Sequence, residues 1–176
     1  MRIITGKYKG RHFDIPRTFK ARPTTDFAKE NIFNVLNGYM DFEGCEALDL
    51  FSGTGSITLE LLSRGCAHVT SIELDRDHHR FICDCVKKLN TDDCLPLRAD
   101  VFRFIKSCRQ QFYFIFADPP YALKELPQIP DLVFECELLK PDGIFVFEHG
   151  KDHDFSQRPR FLEHREYGSV NFTLFK

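Results

Sequence analysis

From residue 47 onward, short apolar runs alternate with longer segments whose apolar residues recur at helical spacing. The first run, 47–51, ends two residues before Gly53. Residues 56–64 follow, with Ile57, Leu59, Leu61 and Leu62 on a helix that Gly65 stops. The same alternation continues with strands over 69–73, 95–99, 112–117 and 143–148, separated by helices over 77–89, 101–108 and 132–139. Strands separated by helices specify parallel βαβ units, and runs without polar alternation specify a sheet covered on both faces. The end of the chain departs from this order. Segments 161–166 and 170–175, joined by Tyr167-Gly168-Ser169, read as an antiparallel hairpin. The pattern therefore predicts an α/β fold with a mostly parallel sheet and a C-terminal antiparallel hairpin, which is not the symmetric dinucleotide-binding fold. No internal repeat, low-complexity segment or long linker interrupts it.

Upstream, Thr5-Gly6-Lys7-Tyr8-Lys9-Gly10 separates two short apolar-containing runs, a small hairpin whose turn carries Lys7, Lys9 and Arg11. Pro16 and Pro23 bracket an irregular basic stretch. Thr25 then caps a helix with Asp26 in its first turn and Ala28, Ile32, Val35 and Leu36 as its stripe, ending near Gly38. The expected organisation is a basic hairpin-and-helix extension over 1–38 followed by the α/β domain over 39–176.

At 176 residues, with 43% hydrophobic and 28% charged positions, the chain is the size of one domain, which buries roughly 70% of its unfolded surface and supports a core without disulfides or a structural metal. No run approaches the ~20 apolar residues that span a bilayer. The start of the chain turns polar at once, so no secretory signal is expected. Seven Cys, at 45, 66, 83, 85, 94, 108 and 136, contain no C-x-x-C, so neither a disulfide framework nor a metal site is expected. Cys83-x-Cys85 reads as two small apolar fillers on a helix. The expected compartment is the cell interior, the cytoplasm.

Charge changes the picture only when it is divided along the chain. Residues 1–22 hold Arg2, Lys7, Lys9, Arg11, Arg17, Lys20 and Arg22 against Asp14 alone, a surplus of six positive charges, so the remainder of a chain of net charge −2 carries −8. A basic arm on an acidic body suits a localised polyanion contact, since clustered Lys and Arg neutralise several phosphates together. A solvated tail has the same composition.

Three strand ends carry candidate chemistry. Asp49-Leu50-Phe51-Ser52-Gly53-Thr54-Gly55 lies at the carboxyl end of the first run, where open α/β sheets bind ligands and where Gly53 and Gly55 let backbone approach a nucleotide. Glu73 ends the second strand, placed to accept from both ribose hydroxyls. These two features also fit NAD. However, the third glycine of G-x-G-x-x-G is replaced by Thr58, and Asp49 would pair a ligand ammonium but repel a pyrophosphate. Asp100, after the third strand, can accept from an adenine amine. An adenosine bearing a cationic amino-acid tail fits all three, and that ligand is S-adenosylmethionine. Leu74 and Val101, beside Glu73 and Asp100, complete the expected cofactor set.

The fourth strand ends in Asp118-Pro119-Pro120-Tyr121. Two prolines make a stiff turn without N–H donors, presenting the Asp118 carboxylate and the Pro119 carbonyl as acceptors on one side. A group with two amino hydrogens can donate to both. Accepting both pulls a conjugated nitrogen toward tetrahedral geometry and frees its lone pair to attack a sulfonium methyl. Tyr121 offers a ring on which a flipped base stacks. Asp118, Pro119 and Tyr121 are therefore the expected catalytic positions, and Pro120 and Tyr121 the expected base contacts. His78-His79 reads as an exposed polar first turn and Glu148-His149 as a satisfied pair at a strand end.

At these residues the sequence resembles a family. Asp118 to Tyr121 with Asp49 to Gly55 resembles the class I methyltransferases that modify exocyclic amines of nucleic-acid bases. Within them, Gly6-Lys7-Tyr8-Lys9-Gly10-Arg11, Arg22-Pro23-Thr24-Thr25-Asp26 and Leu62-Ser63-Arg64-Gly65 resemble the bacterial small-subunit (16S) ribosomal RNA guanine-N2 methyltransferases, over almost the whole length. Lys29 stands where that family often has Arg. The resemblance implies a Rossmann-like sheet of seven strands, S-adenosylmethionine as donor and a guanine of ribosomal RNA, in a small-subunit particle or assembly intermediate, as acceptor. Lys7, Lys9, Arg11 and Arg22 would hold that RNA. The motif itself equally admits an adenine-N6 acceptor, and the fold admits a ribosome-assembly module without turnover.

Overall fold

The computed structural model describes residues 1–20 and 23–176. Seven strands, β1 (Glu46–Leu50), β2 (His68–Glu73), β3 (Cys94–Arg98), β4 (Phe112–Ala117), β5 (Leu139–His149), β6 (Phe161–Tyr167) and β7 (Val170–Phe175), form one sheet in the order β3-β2-β1-β4-β5-β7-β6. β1 to β5 run parallel, and β7 joins β5 antiparallel with β6 outside it, which is the predicted terminal hairpin. Pro96 is confined to edge strand β3, where a missing donor costs no inner ladder bond. The helices are α1 (Asp26–Leu36), α2 (Ser56–Ser63), α3 (Arg76–Lys88), α4 (Val101–Ser107) and α5 (Ile129–Glu135).

The unbroken apolar runs arise because each strand alternates between two cores. Ala47, Phe114, Phe116, Ile144, Val146, Phe172 and Leu174 face one side, joined by Ile3, Phe13, Phe33 and Phe42. Leu48, Leu50, Ile115, Ala117, Phe145, Phe147 and Phe175 face the other, against Val101, Ile105 and Ile129. The reversal of strand order falls between β1 and β4, so the turns leaving these two neighbours open into one crevice.

Three predicted elements differ in detail. Helix α5 begins at Ile129 after a short 3-10 turn over Leu126–Gln128, not at residue 132, because Pro130 sits in its first turn, where the missing N–H is unpaired in any helix. β5 starts at Leu139, and its register to β4 slips between Phe112 and Phe114, which accommodates Pro141 and the left-handed Asp142 (φ 65). Thr25 caps α1 by accepting from the Ala28 N–H as expected, but the buried face uses Phe33 and Lys29, with Val35 only partly buried.

The N-terminal hairpin is reduced to an Arg2–His12 bridge with flanking bonds from Ile3 N to Arg11 O and from Phe13 N to Met1 O. Further donors go to α2. Ile4 N and Thr5 N donate to the two carboxylate oxygens of Glu60 (2.8 and 3.0 Å), and Lys7 N donates to Ser63 O (2.8 Å). Gly6 (φ +95) lies so close to this helix that a Cβ would fall 1.9 Å from Ser63 O, which fixes glycine there. Glu60 is 0% exposed and also takes Arg64 Nε at 3.1 Å and Lys29 Nζ at 3.5 Å. Lys29, 1% exposed, donates in addition to Arg2 O (2.7 Å) and Ser56 Oγ (3.0 Å). Burial holds the Lys29 ammonium below its ordinary pKa while Glu60 opposes that shift. The thiols that meet are those of Cys45 and Cys66, with sulfurs 3.3 Å apart, and not Cys83 and Cys85, of which only Cys85 is buried.

Candidate active site

The carboxyl ends of β1, β2, β4 and β5 surround a cavity of about 900 Å³. Its floor is the turn after β1. Phe51 (φ 60), Gly53 (φ 57) and Gly55 (φ 84) all adopt left-handed backbone, so the chain coils tightly before α2, and a Cβ on Gly55 would stand 3.0 Å from Ile82 Cγ1. The turn is pinned by Ser52 N to Ile72 O (2.9 Å), Ser52 Oγ to Asp49 O (2.8 Å) and Gly53 N to Glu73 Oε2 (3.1 Å). Asp49 lies behind it, 1% exposed, accepting from Thr58 Oγ1 at 2.6 Å. Residue 58 is thus the anchor of the acid, which explains why a third glycine is absent. Burial pushes the Asp49 carboxyl up to about 7; a neighbouring ligand cation would hold it ionised.

Glu73 faces this turn from β2, and Leu74 beside it is 59% exposed, an apolar surface at the cavity wall. Asp100 caps α4 by accepting from Arg103 N (3.0 Å), with Val101 buried next to it. All seven expected cofactor positions except Gly55 line the same cavity. His78 also lines it, and the expectation of an exposed first turn fails there. Its ring has 12% side-chain exposure, with Nδ1 3.5 Å from Glu73 Oε1 and Phe19 packed edge-on at 4.6 Å. Phe19 belongs to the irregular stretch after the hairpin, from which Lys20, Pro23, Thr24 and Thr25 form one wall of the cavity. Sequence periodicity carried no sign of this crossing.

Opposite the Gly53–Gly55 turn, Asp118, Pro119, Pro120 and Tyr121 close the cavity, and Asp118 N reaches Leu50 O at 3.3 Å. Tyr121, 44% exposed, donates its hydroxyl to Glu148 Oε1 at 3.1 Å. The tyrosine therefore contributes a hydrogen bond as well as a ring. Burial and the adjacent Glu148 hold the Asp118 carboxyl well above the usual carboxylate range. Glu148 is raised too, by burial. The Glu148-His149 pair splits: His149 turns away, bonded to Thr173 Oγ1 and Gly150 O (2.7 Å each), while Glu148 lines the cavity. Reading both as satisfied residues missed Glu148. The available signal was a carboxylate ending a buried apolar strand, as Asp118 does.

The basic hairpin is not gathered with these groups. Lys7 Nζ lies 4.0 Å from Asp93, which precedes β3, and Arg11 Nη2 bonds Lys88 O at the end of α3, so its tip sits at the opposite edge of the sheet. Arg22 lies outside the described residues.

A β3-β2-β1-β4-β5-β7-β6 sheet with a glycine turn after β1 and an Asp-Pro-Pro-Tyr turn after β4 opening into one cavity is the architecture of a class I methyltransferase. The chain belongs to the family described as conserved hypothetical protein 95, which matches residues 1–176. A Haemophilus influenzae relative, ribosomal RNA small subunit methyltransferase D, is 32% identical over 186 residues, covering 100% of this chain and 93% of that protein. Among solved structures, a hypothetical protein of Thermus thermophilus, TTHA0928, has a TM-score of 0.83 at 26% identity, over 100% of this chain and 99% of that one. A T. thermophilus 16S rRNA guanine-N2 methyltransferase, solved with AdoMet and guanosine, shares the fold at 17% identity, with a TM-score of 0.72 over 90% of this chain and 44% of that one.

Proposed function

We propose that this protein transfers a methyl group from S-adenosylmethionine to the exocyclic N2 amine of a guanine in small-subunit ribosomal RNA. The observation that carries the reading is the juxtaposition, across adjacent β1 and β4, of the Gly53–Gly55 turn and the Asp118 carboxyl in one cavity. Asp49, Glu73, Asp75, Asp100, Asp118 and Glu148 give that cavity an acidic lining, which suits a cationic donor and would oppose a pyrophosphate. S-adenosylmethionine, when bound, supplies a methyl group on a positively charged sulfur. Glu73 accepts from the ribose, Leu74 and Val101 cover the adenine, Asp100 receives its amine, and Asp49 opposes the amino-acid tail. Asp118 and the Pro119 carbonyl accept the two hydrogens of the target amine, and Tyr121 stacks on the base. The name of the H. influenzae relative supports ribosomal RNA as the acceptor. Incubation with labelled S-adenosylmethionine and undermethylated small subunits or their RNA, followed by mapping of the labelled nucleotide, tests it; label on an adenine N6, or on no RNA, would overturn it.

Residues 1–38 serve in this reading as an RNA-holding extension of a catalytic domain over 39–176, acting inside the cell. The hairpin tip and the acceptor turn lie at opposite edges of a sheet whose strands span roughly 17–20 Å, so the partner reaches across the domain, as a structured RNA or subunit particle does. Neutralising Lys7, Lys9 and Arg11 together is expected to lower the salt slope of RNA binding by about two to three units, at roughly 0.7–0.9 per phosphate, with cofactor affinity unchanged. A titration of affinity against salt checks this, and an unaltered slope leaves the hairpin a solvated surface.

Glu73→Ala is expected to weaken S-adenosylmethionine binding about tenfold or more, because charge-assisted bonds to the ribose are worth roughly 1.5–3 kcal/mol each before water compensates. The same carboxylate holds Gly53 N. Calorimetry showing wild-type affinity would remove Glu73 from the site.

A further inference from the structure

The register of β4 on β5 pairs Ala117 with Phe147, so the next residue of each strand, Asp118 and Glu148, leaves the sheet side by side. Glu148 is 4% exposed, and its two oxygens are unequally served: Oε1 accepts from Tyr121 Oη at 3.1 Å, while Oε2 is buried with no partner. Among the described residues no Lys, Arg or His pairs with either acid. Asp49 faces them from β1 and Tyr121 from the acceptor turn; β7 sets only Phe172 opposite Glu148. Lys20, Glu73, Asp75, His78 and Asp100 lie along the rest of the cavity wall. Two adjacent carboxyls, Glu148 buried and Asp118 part-buried at the cavity, have no counter-cation and resist ionising together, so they share one proton and one negative charge.

We infer that Glu148 is the final acceptor of the proton released by the target amine, which it reaches through Asp118. This deepens the methyl-transfer reading and rests on it. The nitrogen–carbon bond forms as the carbon–sulfur bond breaks, and the electron pair of that bond stays on sulfur, which becomes a neutral thioether. One N–H proton of the methylated amine passes to the Asp118 oxygen facing it, while the proton Asp118 already holds passes to Glu148 Oε2. A neutral amine, a sulfonium and a singly charged acid pair thus become a neutral N-methyl amine, a thioether and a doubly protonated pair; the extra proton leaves to water with the product. Glu148 acts on the amine only through Asp118 and is a positioning residue in that sense. The bond from Tyr121 keeps its charged form available.

Single-turnover methylation against pH, with the protein saturated in cofactor, tests the assignment. The wild-type rate falls on the acid side, where the pair takes up its second proton. Glu148→Gln removes the group that takes the proton from Asp118, so the plateau drops about tenfold or more. Tyr121→Phe removes a bond to ionised Glu148, so its acid limb moves to higher pH. Infrared titration of the protein without cofactor gives an independent readout: in an Asp49→Asn background, which removes the other acid titrating near neutral pH, the protonated-carboxyl band persists to higher pH with both acids present than in Glu148→Gln or Asp118→Asn, because only the pair must ionise against a neighbouring charge. A Glu148→Gln protein with the wild-type plateau, or a band that titrates at the same pH with and without the partner acid, overturns the inference. Absence of methylation of any base amine by the wild type would instead overturn the methyl-transfer reading, and the infrared result would stand.

Discussion

Asp118→Ala, folded and cofactor-bound, is expected to methylate its RNA roughly a hundredfold or more slowly in a single turnover while holding S-adenosylmethionine about as tightly as the wild type. The contact with the amine strengthens as positive charge grows on nitrogen, so its loss falls on the transition state and spares the ground state. The carboxyl sits across the cavity from the Gly53–Gly55 turn, and the contacts between the two strands there are backbone ones, among them Asp118 N to Leu50 O, which substitution leaves in place. Asp118→Asn retains one accepting oxygen but can neither take nor pass a proton, and an intermediate rate is expected. A normal single-turnover rate in a cofactor-bound Asp118→Ala protein would sink the mechanism.

Glu60→Ala is expected to destabilise the fold by about 3–5 kcal/mol, the cost of leaving one member of a buried ion pair without its partner. Lys29, at 1% exposure, would be left unpaired without the acid that opposes the lowering of its pKa by burial, and the Ile4 and Thr5 N–H groups would lose their acceptors. At roughly 2–4 °C per kcal/mol for a domain near this size, the midpoint of thermal unfolding falls by on the order of 10 °C. Adding Lys29→Met in the same chain removes the orphaned charge, and the double variant is expected to regain part of the loss. A midpoint within about 2 °C of wild type for Glu60→Ala would show that the cluster contributes little.

The strands were legible because their burial on both faces leaves a signal that depends on no tertiary detail: Phe112 to Ala117 is apolar at every position. The start of α1 was legible through Thr25, a chemical cap. The start of α5 was not, because Pro130 reads as a breaker when it stands in the one turn of a helix that tolerates it. Glu73 ends its strand and Asp118 follows its own, each immediately before a turn, while Asp49 lies inside the first run; all three line the cavity. Glu148 and His149 end a run together, and sequence alone does not say which of two alternating side chains faces the cavity; the pairing of β5 with β4 decides it. Lys29 occupies the core stripe of α1, where a lysine ordinarily extends to solvent, and only the fold of α2 supplies the Glu60 that retains it.

The adjacency of β1 and β4 has a consequence for tolerance to change. Neighbouring strands lie about 4.8 Å apart wherever their ladder is intact, so the two turns proposed to receive donor and acceptor start from points set by a repeat of the polypeptide backbone. Replacing side chains in those turns alters which molecules are admitted, while the span that the methyl group crosses keeps the same ruler. Selection on such a scaffold can exchange one nucleotide target for another without rebuilding the reaction geometry.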